Sequence, residues 1–248
     1  MEPRFLPLGD SAITIEFGDR IDQALVASVA ALDERLSREK KAGRLAGIIE
    51  TMPTYRSLTV IFDPGLLSWN SLQARVTELL SESLDGETRP ANRWRLPVCY
   101  GSEYGLDLEH AAVSSGLTRA EVVELHVSQT YTVYMIGFLP GFPFMGDVVS
   151  ALHMPRLREP RTRVPAGSVA ITGQQTAIYP WESPGGWNII GRCPLPLFDA
   201  HRPQPALLGT GDLVNFEIVS PDRYEELASA VREHALDFGQ FRLQGESI

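Results

Sequence analysis

Four arginines, Arg156, Arg158, Arg161 and Arg163, fall in one short stretch, PRLREPRTRVPAGS. A guanidinium presents a planar fork of donors that pairs bidentately with carboxylate or phosphate. Pro155, Pro160 and Pro165 fix φ around them and hold the stretch extended. Arg156 and Arg158 read equally well as a solvated loop paired with the chain's own carboxylates, pairs that are individually weak. Arg161 and Arg163 directly precede VPAGS and are assigned to an anion site. Further on, GQQTAIYP sets Gln175, Thr176 and Tyr179 after a turn. On a strand, Thr176 and Ile178 share one face, while Gln175, Ala177 and Tyr179 share the other. A Gln/Tyr face can line a polar pocket, although a Tyr packed in a barrel wall gives the same pattern. SPGGWNIIGR adds Gly185 and Gly186, where backbone can approach a ligand and expose N–H groups. Trp187 would shield such a cradle and Arg192 would close it; a tight hairpin over a core Trp is the plainer alternative. His126 has the chemistry of a proton carrier, but a lone histidine is more often structural. Ser168 has no adjacent base readable from sequence, and Cys193 reads as a buried thiol.

These residues need elements to hold them. Gly and Pro recur every few residues from Gly137 to Asp199, which excludes long helices there and predicts short strands joined by tight turns. Upstream, Ile13, Ile15 and Phe17 alternate as a strand. Ile21, Leu25, Val29, Leu32 and Leu36 then recur at helical spacing, with Asp22 near the start and Gly43 beyond the end. Leu45–Thr51 and Ser57–Phe62 read as strands, and Ser68 would cap a helix bearing Leu72, Val76, Leu79 and Leu80. Strand–helix–strand–strand–helix predicts a ferredoxin-like α+β domain, provided a final strand completes it. Gly86–Asn92 reads as a linker, which divides the chain into residues 1–88 and 89–248. The second part should open with an extended Arg93–Tyr100. Helices over Leu108–Ser115 and Thr118–His126 follow, the latter with a Thr118/Glu121 capping box. A late strand over Leu213–Val219 and a helix over Pro221–His234 end a mostly-β barrel or sandwich.

The 248 residues are 44% hydrophobic, ordinary for a chain with a real core. A net charge of −9 argues against nucleic acid or an anionic membrane as the main partner. No apolar run reaches the ~20 residues of a membrane helix, and no secretory leader is read at MEPRFLPLGDS, so the cytoplasm is the expected compartment. Cys99 and Cys193 form no disulfide framework or zinc spacing, and no metal site is expected. There is no GxxxxGK[ST], HExxH or GxSxG, so any nucleotide site is unconventional.

Taken together, RFLPLGDSAITIEFGD, PTYRSLTVIFD, LPVCYGSEYGLDLE, VYMIGFLPGFPFMG, VPAGSVAI, QTAIYP and SPGGWNIIGR with LFD resemble one family over nearly the whole chain. This is the family of 5-oxoprolinase B subunits, also called KipI or allophanate hydrolase subunit 1. The resemblance implies a cyclophilin-like barrel as the second domain. It implies a component, inactive alone, of an enzyme that opens 5-oxoproline to glutamate with ATP hydrolysis, working with the 5-oxoprolinase C and A subunits. ATP with Mg²⁺ is the implied cofactor, held by this chain or across a subunit interface. Arg161, Arg163 and Arg192 would handle anionic groups, Gln175, Thr176 and Tyr179 would orient substrate under Gly185, Gly186 and Trp187, and His126 would carry protons. Within the same family, inhibition of a sporulation-type histidine kinase and cleavage or carboxyl transfer on urea derivatives are the competing functions. Ala177, Cys193 and Thr172 depart from the family's usual Gly, Thr and small residue.

Overall fold

A computed structural model describes residues 3–81, 91–101 and 103–243. The chain divides into two compact units, Met1–Pro90 and Ala91–Ile248. Residues 86–90 of the expected linker lie outside the described residues.

The first unit runs β1 (Arg4–Pro7), β2 (Ala12–Glu16), α1 (Gln23–Lys41), β3 (Ile48–Pro53), β4 (Ser57–Phe62) and α2 (Trp69–Ser81). Its antiparallel sheet has the order β1-β2-β4-β3. Alternation puts Ile13, Ile15, Leu58 and Val60 on one face, where Val29, Leu32 and Leu36 of α1 and Leu72 and Val76 of α2 cover them. Each such side chain contributes roughly 1.5–3 kcal/mol on burial. Asp22 caps α1 by accepting from Ala24 N at 2.8 Å. Ser68 accepts from Ser71 N at 3.1 Å, as its position before α2 predicts. The expected strand–helix–strand–strand–helix core is present. The expected final strand is not the one that completes the sheet, however. That edge is held by β1, the hairpin partner of β2, so the ferredoxin-like assignment does not follow from the described residues.

The second unit contains β5 (Arg93–Tyr100), α3 (Leu108–Ser115), α4 (Arg119–Val127), β6 (Tyr131–Ile136), β7 (Pro143–Gly146), β8 (Arg161–Val164), β9 (Ser168–Thr172), β10 (Gln175–Ile178), β11 (Ser183–Gly185), β12 (Asn188–Arg192), β13 (Leu213–Ile218), α5 (Pro221–Arg232) and the two-residue β14 (Arg242–Leu243). Strands β12-β9-β10-β7-β6-β13-β5 follow one another, and a β12–β5 pairing closes them into a barrel. Among the described residues, only the β13–β5 ladder of this barrel is parallel. Val98, Val133, Met145, Val169, Ile171, Ile178, Ile190 and Val214 belong to its main core. The pair β8–β11 forms a separate ribbon. The α4 capping box is formed: Thr118 Oγ1 accepts from Glu121 N at 3.2 Å, and Glu121 accepts from Thr118 N at 2.7 Å.

Candidate functional site on the outer face of the barrel

The alternation read in β10 is realised, and it separates two groups of residues. Thr176 and Ile178 face the barrel interior, and Ala177 and Tyr179 join a second cluster outside it with Phe142, Val164, Ala170, Trp187 and Ile189.

His126 goes inward. It is fully buried, and its ring stacks on Phe216 at 4.7 Å and 16°. Burial pushes its pKa down to about 3, so the imidazole is neutral at pH 7. Thr176 Oγ1 lies 3.2 Å from Ala170 O and 2.9 Å from His126 Nε2. The hydroxyl therefore donates to the carbonyl and accepts from Nε2–H. By elimination Nδ1 is bare and accepts from the Tyr100 hydroxyl at 2.8 Å. The result is a directed chain, Tyr100 to His126 to Thr176 to Ala170, with every polar atom on it satisfied. The structure thus places His126 as a neutral core residue, with Thr176 as its partner inside the barrel and away from the outer face.

The outer face carries a row of polar groups. Arg192 on β12 stands directly opposite Ser168 on β9, and Tyr179 N donates to Ser168 O at 2.9 Å. Ser168 Oγ and Arg192 Nε are both buried without a hydrogen-bond partner. The Arg192 guanidinium lies over the Tyr104 ring, 5.8 Å from its centre. Tyr179 is buried, and burial raises its pKa, while a hydrogen bond with the Trp187 backbone and the charges of Arg156 and Arg161 oppose that rise. Phe142 packs edge-on to both Tyr179 and Trp187, at 5.1 and 6.0 Å. Trp187 thus forms the apolar backing of this row.

The ribbon β8–β11 sets the remaining residues. Arg161 reaches Asp107 through two bonds, 2.9 and 2.6 Å, and the same carboxylate accepts from Ile189 N at 2.7 Å. Its guanidinium pins the ribbon to the barrel, so the structure gives it an internal carboxylate partner. Arg163 is exposed and pairs with Glu182 at 2.9 and 3.0 Å, a surface contact worth under ~1 kcal/mol. Gly185 is sterically required, because a Cβ there would overlap the Tyr179 hydroxyl. Gly186 is not: a Cβ would meet Pro160 at an ordinary 3.5 Å. The expected close approach therefore belongs to Gly185, and it serves a phenol. Gln175 opens β10, half-buried, opposite Gly146 and Thr172. Ala177 is fully buried with an ordinary φ, so this position makes no demand for glycine. Cys193 is a buried thiol whose pKa burial raises to about 12.

Sequence reasoning missed Asp107, Tyr100 and the register of Ser168. Asp107 stands just before α3 and reads as a helix cap, yet it makes no side-chain cap bond. Ser168 lacked a neighbouring base in sequence, and only the strand register places it beside Arg192. Among the described residues no group of three His, Cys, Asp or Glu side chains could hold a metal ion. The donors on the outer face are arginine, hydroxyl and phenol, a set suited to anions.

Residues 3–208 match the family described as carboxyltransferase domain, subdomain C and D, and the chain belongs to that family. It is 39% identical over 227 residues to the 5-oxoprolinase B subunit of Bacillus subtilis, covering 88% of this chain and 93% of that protein. Among solved structures, TTHA0988 superposes with a TM-score of 0.74 at 36% identity. The match covers 84% of this chain but 40% of that longer one. The urea amidolyase of K. lactis shares the fold, with a TM-score of 0.71 at 20% identity, over 92% of this chain and 15% of its own.

Proposed function

We propose that this chain is the B subunit of an ATP-dependent 5-oxoprolinase, opening 5-oxo-L-proline to L-glutamate together with the A and C subunits. The carrying observation is the likeness to the B. subtilis protein, which extends over nearly the full length of both chains. The urea-derivative reading is supported less well, by a putative urea carboxylase and a urea amidolyase at 24–25% identity, each matched over 13% of its own length, and by fold at 20% identity. In this proposal the barrel is of the cyclophilin-like type, the chain is inactive alone, and the complex works in the cytoplasm, where ATP is available.

Arg192 is the residue proposed to meet an anionic group, a substrate carboxylate or a transferring phosphoryl, since its Nε already lacks a partner. Ser168 and Tyr179, beside it, would orient polar atoms of the substrate, with Gln175 at the far end of the same strand face. Trp187 and Phe142 keep water from that row. Arg156 and Arg158, exposed on the approach to β8, supply fixed positive charge for nucleotide phosphates, and Mg²⁺ would arrive with those phosphates. Arg161 acts at one remove by fixing the ribbon that carries Gly185.

Deleting the gene in its host tests the proposal. The expected outcome is loss of growth on 5-oxoproline as sole nitrogen source with growth on glutamate intact, restored by the wild-type gene. Unimpaired growth on 5-oxoproline would refute it, and a selective defect on urea would favour the urea-derivative reading.

A further inference from the structure

The loop between β6 and β7 holds an aromatic outward against its own backbone preference. Phe138 has φ +66°, in the left-handed region that favours glycine, and is 66% exposed. A bulky residue persists there only when its surroundings over-determine it, and such positions gather at functional surfaces. The surroundings do so here. Gly137 N donates to Phe142 O at 3.1 Å, Leu139 N to Gly137 O at 2.8 Å, and Phe142 N to Leu139 O at 3.0 Å. Gly141, at φ +77°, lets the loop wedge against Phe198, where a Cβ would come within 2.7 Å of the Phe198 side chain. Trp181 is stapled to the same loop: its indole N–H donates to Pro140 O at 3.2 Å and its ring lies 6.1 Å from Phe198. The indole is still 45% exposed.

The loop and Trp181 therefore present a preorganised pair of aromatic anchors, the kind of residue that dominates interface energetics. Preorganisation keeps the ordering cost of binding low. Its border carries an internal ion pair. Arg163 is exposed and pairs with Glu182, the residue that follows Trp181. Arg156 lies close enough for its charge to act on Tyr179, whose ring meets Phe142, and Phe142 in turn meets Phe138. Arg158 is exposed two positions on. The complementary surface is an apolar pocket that takes the two rings.

We infer that Phe138 and Trp181 dock a companion polypeptide of the complex, the one equivalent to the part of TTHA0988 that this chain does not match. In TTHA0988 a region similar to this chain makes up 40% of a single longer chain, so that unit has a permanent polypeptide companion. The inference rests on the complex proposed above and adds the surface and its chemistry.

The test uses the full chain, tagged in its native host, and the partner that co-purifies with it, identified by its sequence match to the rest of TTHA0988. Affinity for that purified partner is then measured by calorimetry for the wild type, Phe138→Gly, Trp181→Ser and, as a control on the exposed face of α3, Val113→Ser. Phe138→Gly should leave the thermal midpoint equal to or above wild type, because glycine takes φ > 0 freely. It should also weaken partner binding by about tenfold or more. Trp181→Ser should weaken it similarly, with Val113→Ser unchanged. Binding within about twofold of wild type in both aromatic variants, well short of the tenfold loss expected of an anchor, would overturn the docking surface while leaving the complex standing. Failure of the wild-type chain to bind such a partner would overturn both. Self-association of the chain, lost in the same variants, would overturn it in favour of a second copy as occupant.

Discussion

Protonating His126 should destabilise the second unit, and the size of the effect follows from its surroundings. The imidazole is fully buried, accepts from Tyr100 and donates to Thr176. A second proton would sit on Nδ1 and remove the acceptor that the Tyr100 hydroxyl uses. Its folded pKa, about 3, lies below the ordinary histidine value of 6.5. Between those two values the unfolded chain binds the proton and the native chain does not, so stability rises with pH. This contribution is fully present above pH ~6.5 and is lost as pH falls toward ~3. The slope is about 1.4 kcal/mol per pH unit inside the window, or roughly 2 kcal/mol between about pH 6.5 and 5. Urea unfolding followed by tryptophan emission reads it, because Trp94 and Trp187 are buried in this unit. The control is His126→Gln, which keeps an amide near the same partners but has no proton to gain. The difference in unfolding free energy between wild type and variant cancels the carboxylates that both share. It should shrink by roughly 2 kcal/mol from about pH 6.5 to 5. A difference that stays flat over that range would refute the neutral, buried histidine and reopen a proton-carrying role.

Three further outcomes are expected. Gly185→Ala forces a methyl into the Tyr179 hydroxyl and should cost about 1–3 kcal/mol in urea unfolding; Gly186→Ala should stay within about 0.5 kcal/mol. Asp107→Ala leaves the Arg161 guanidinium and Ile189 N without their shared acceptor, and a loss of about 3–5 kcal/mol is expected by the same assay. Arg192→Gln should lower kcat/KM for 5-oxoproline in the assembled complex by about ten- to a hundredfold, with the circular dichroism spectrum and thermal midpoint of the chain unchanged.

Elements with strong local signals were readable in the sequence. The alternation over Ser57–Phe62, the Thr118/Glu121 box and the helix Leu108–Ser115 depend on neighbours close in the chain, and each appears where the pattern put it. The faces of β10 were readable for the same reason, since a strand has a period of two. What escaped depends on long-range pairing. β1 is short, contains Pro7 and lies at a sheet edge, so its residues carry little signal of their own. The closure of β12 onto β5 joins residues 99–100 to 191–192, which no local pattern encodes. Arg161 looked like a free cation because its acceptor, Asp107, is 54 residues away and resembles a helix cap. His126 sits at the end of a helix whose own apolar face is weakly marked, and its burial comes from Phe216, Tyr131 and Thr176 on three strands.

Membership of a 5-oxoprolinase is tested by glutamate release from 5-oxoproline by the complex that co-purifies with this chain, assayed with ATP, without ATP, and after the chain is left out of reconstitution. Glutamate should form only when both ATP and this chain are present, with ADP appearing alongside it. Equal glutamate release without this chain, or a stable complex that forms no glutamate with ATP, would contradict it.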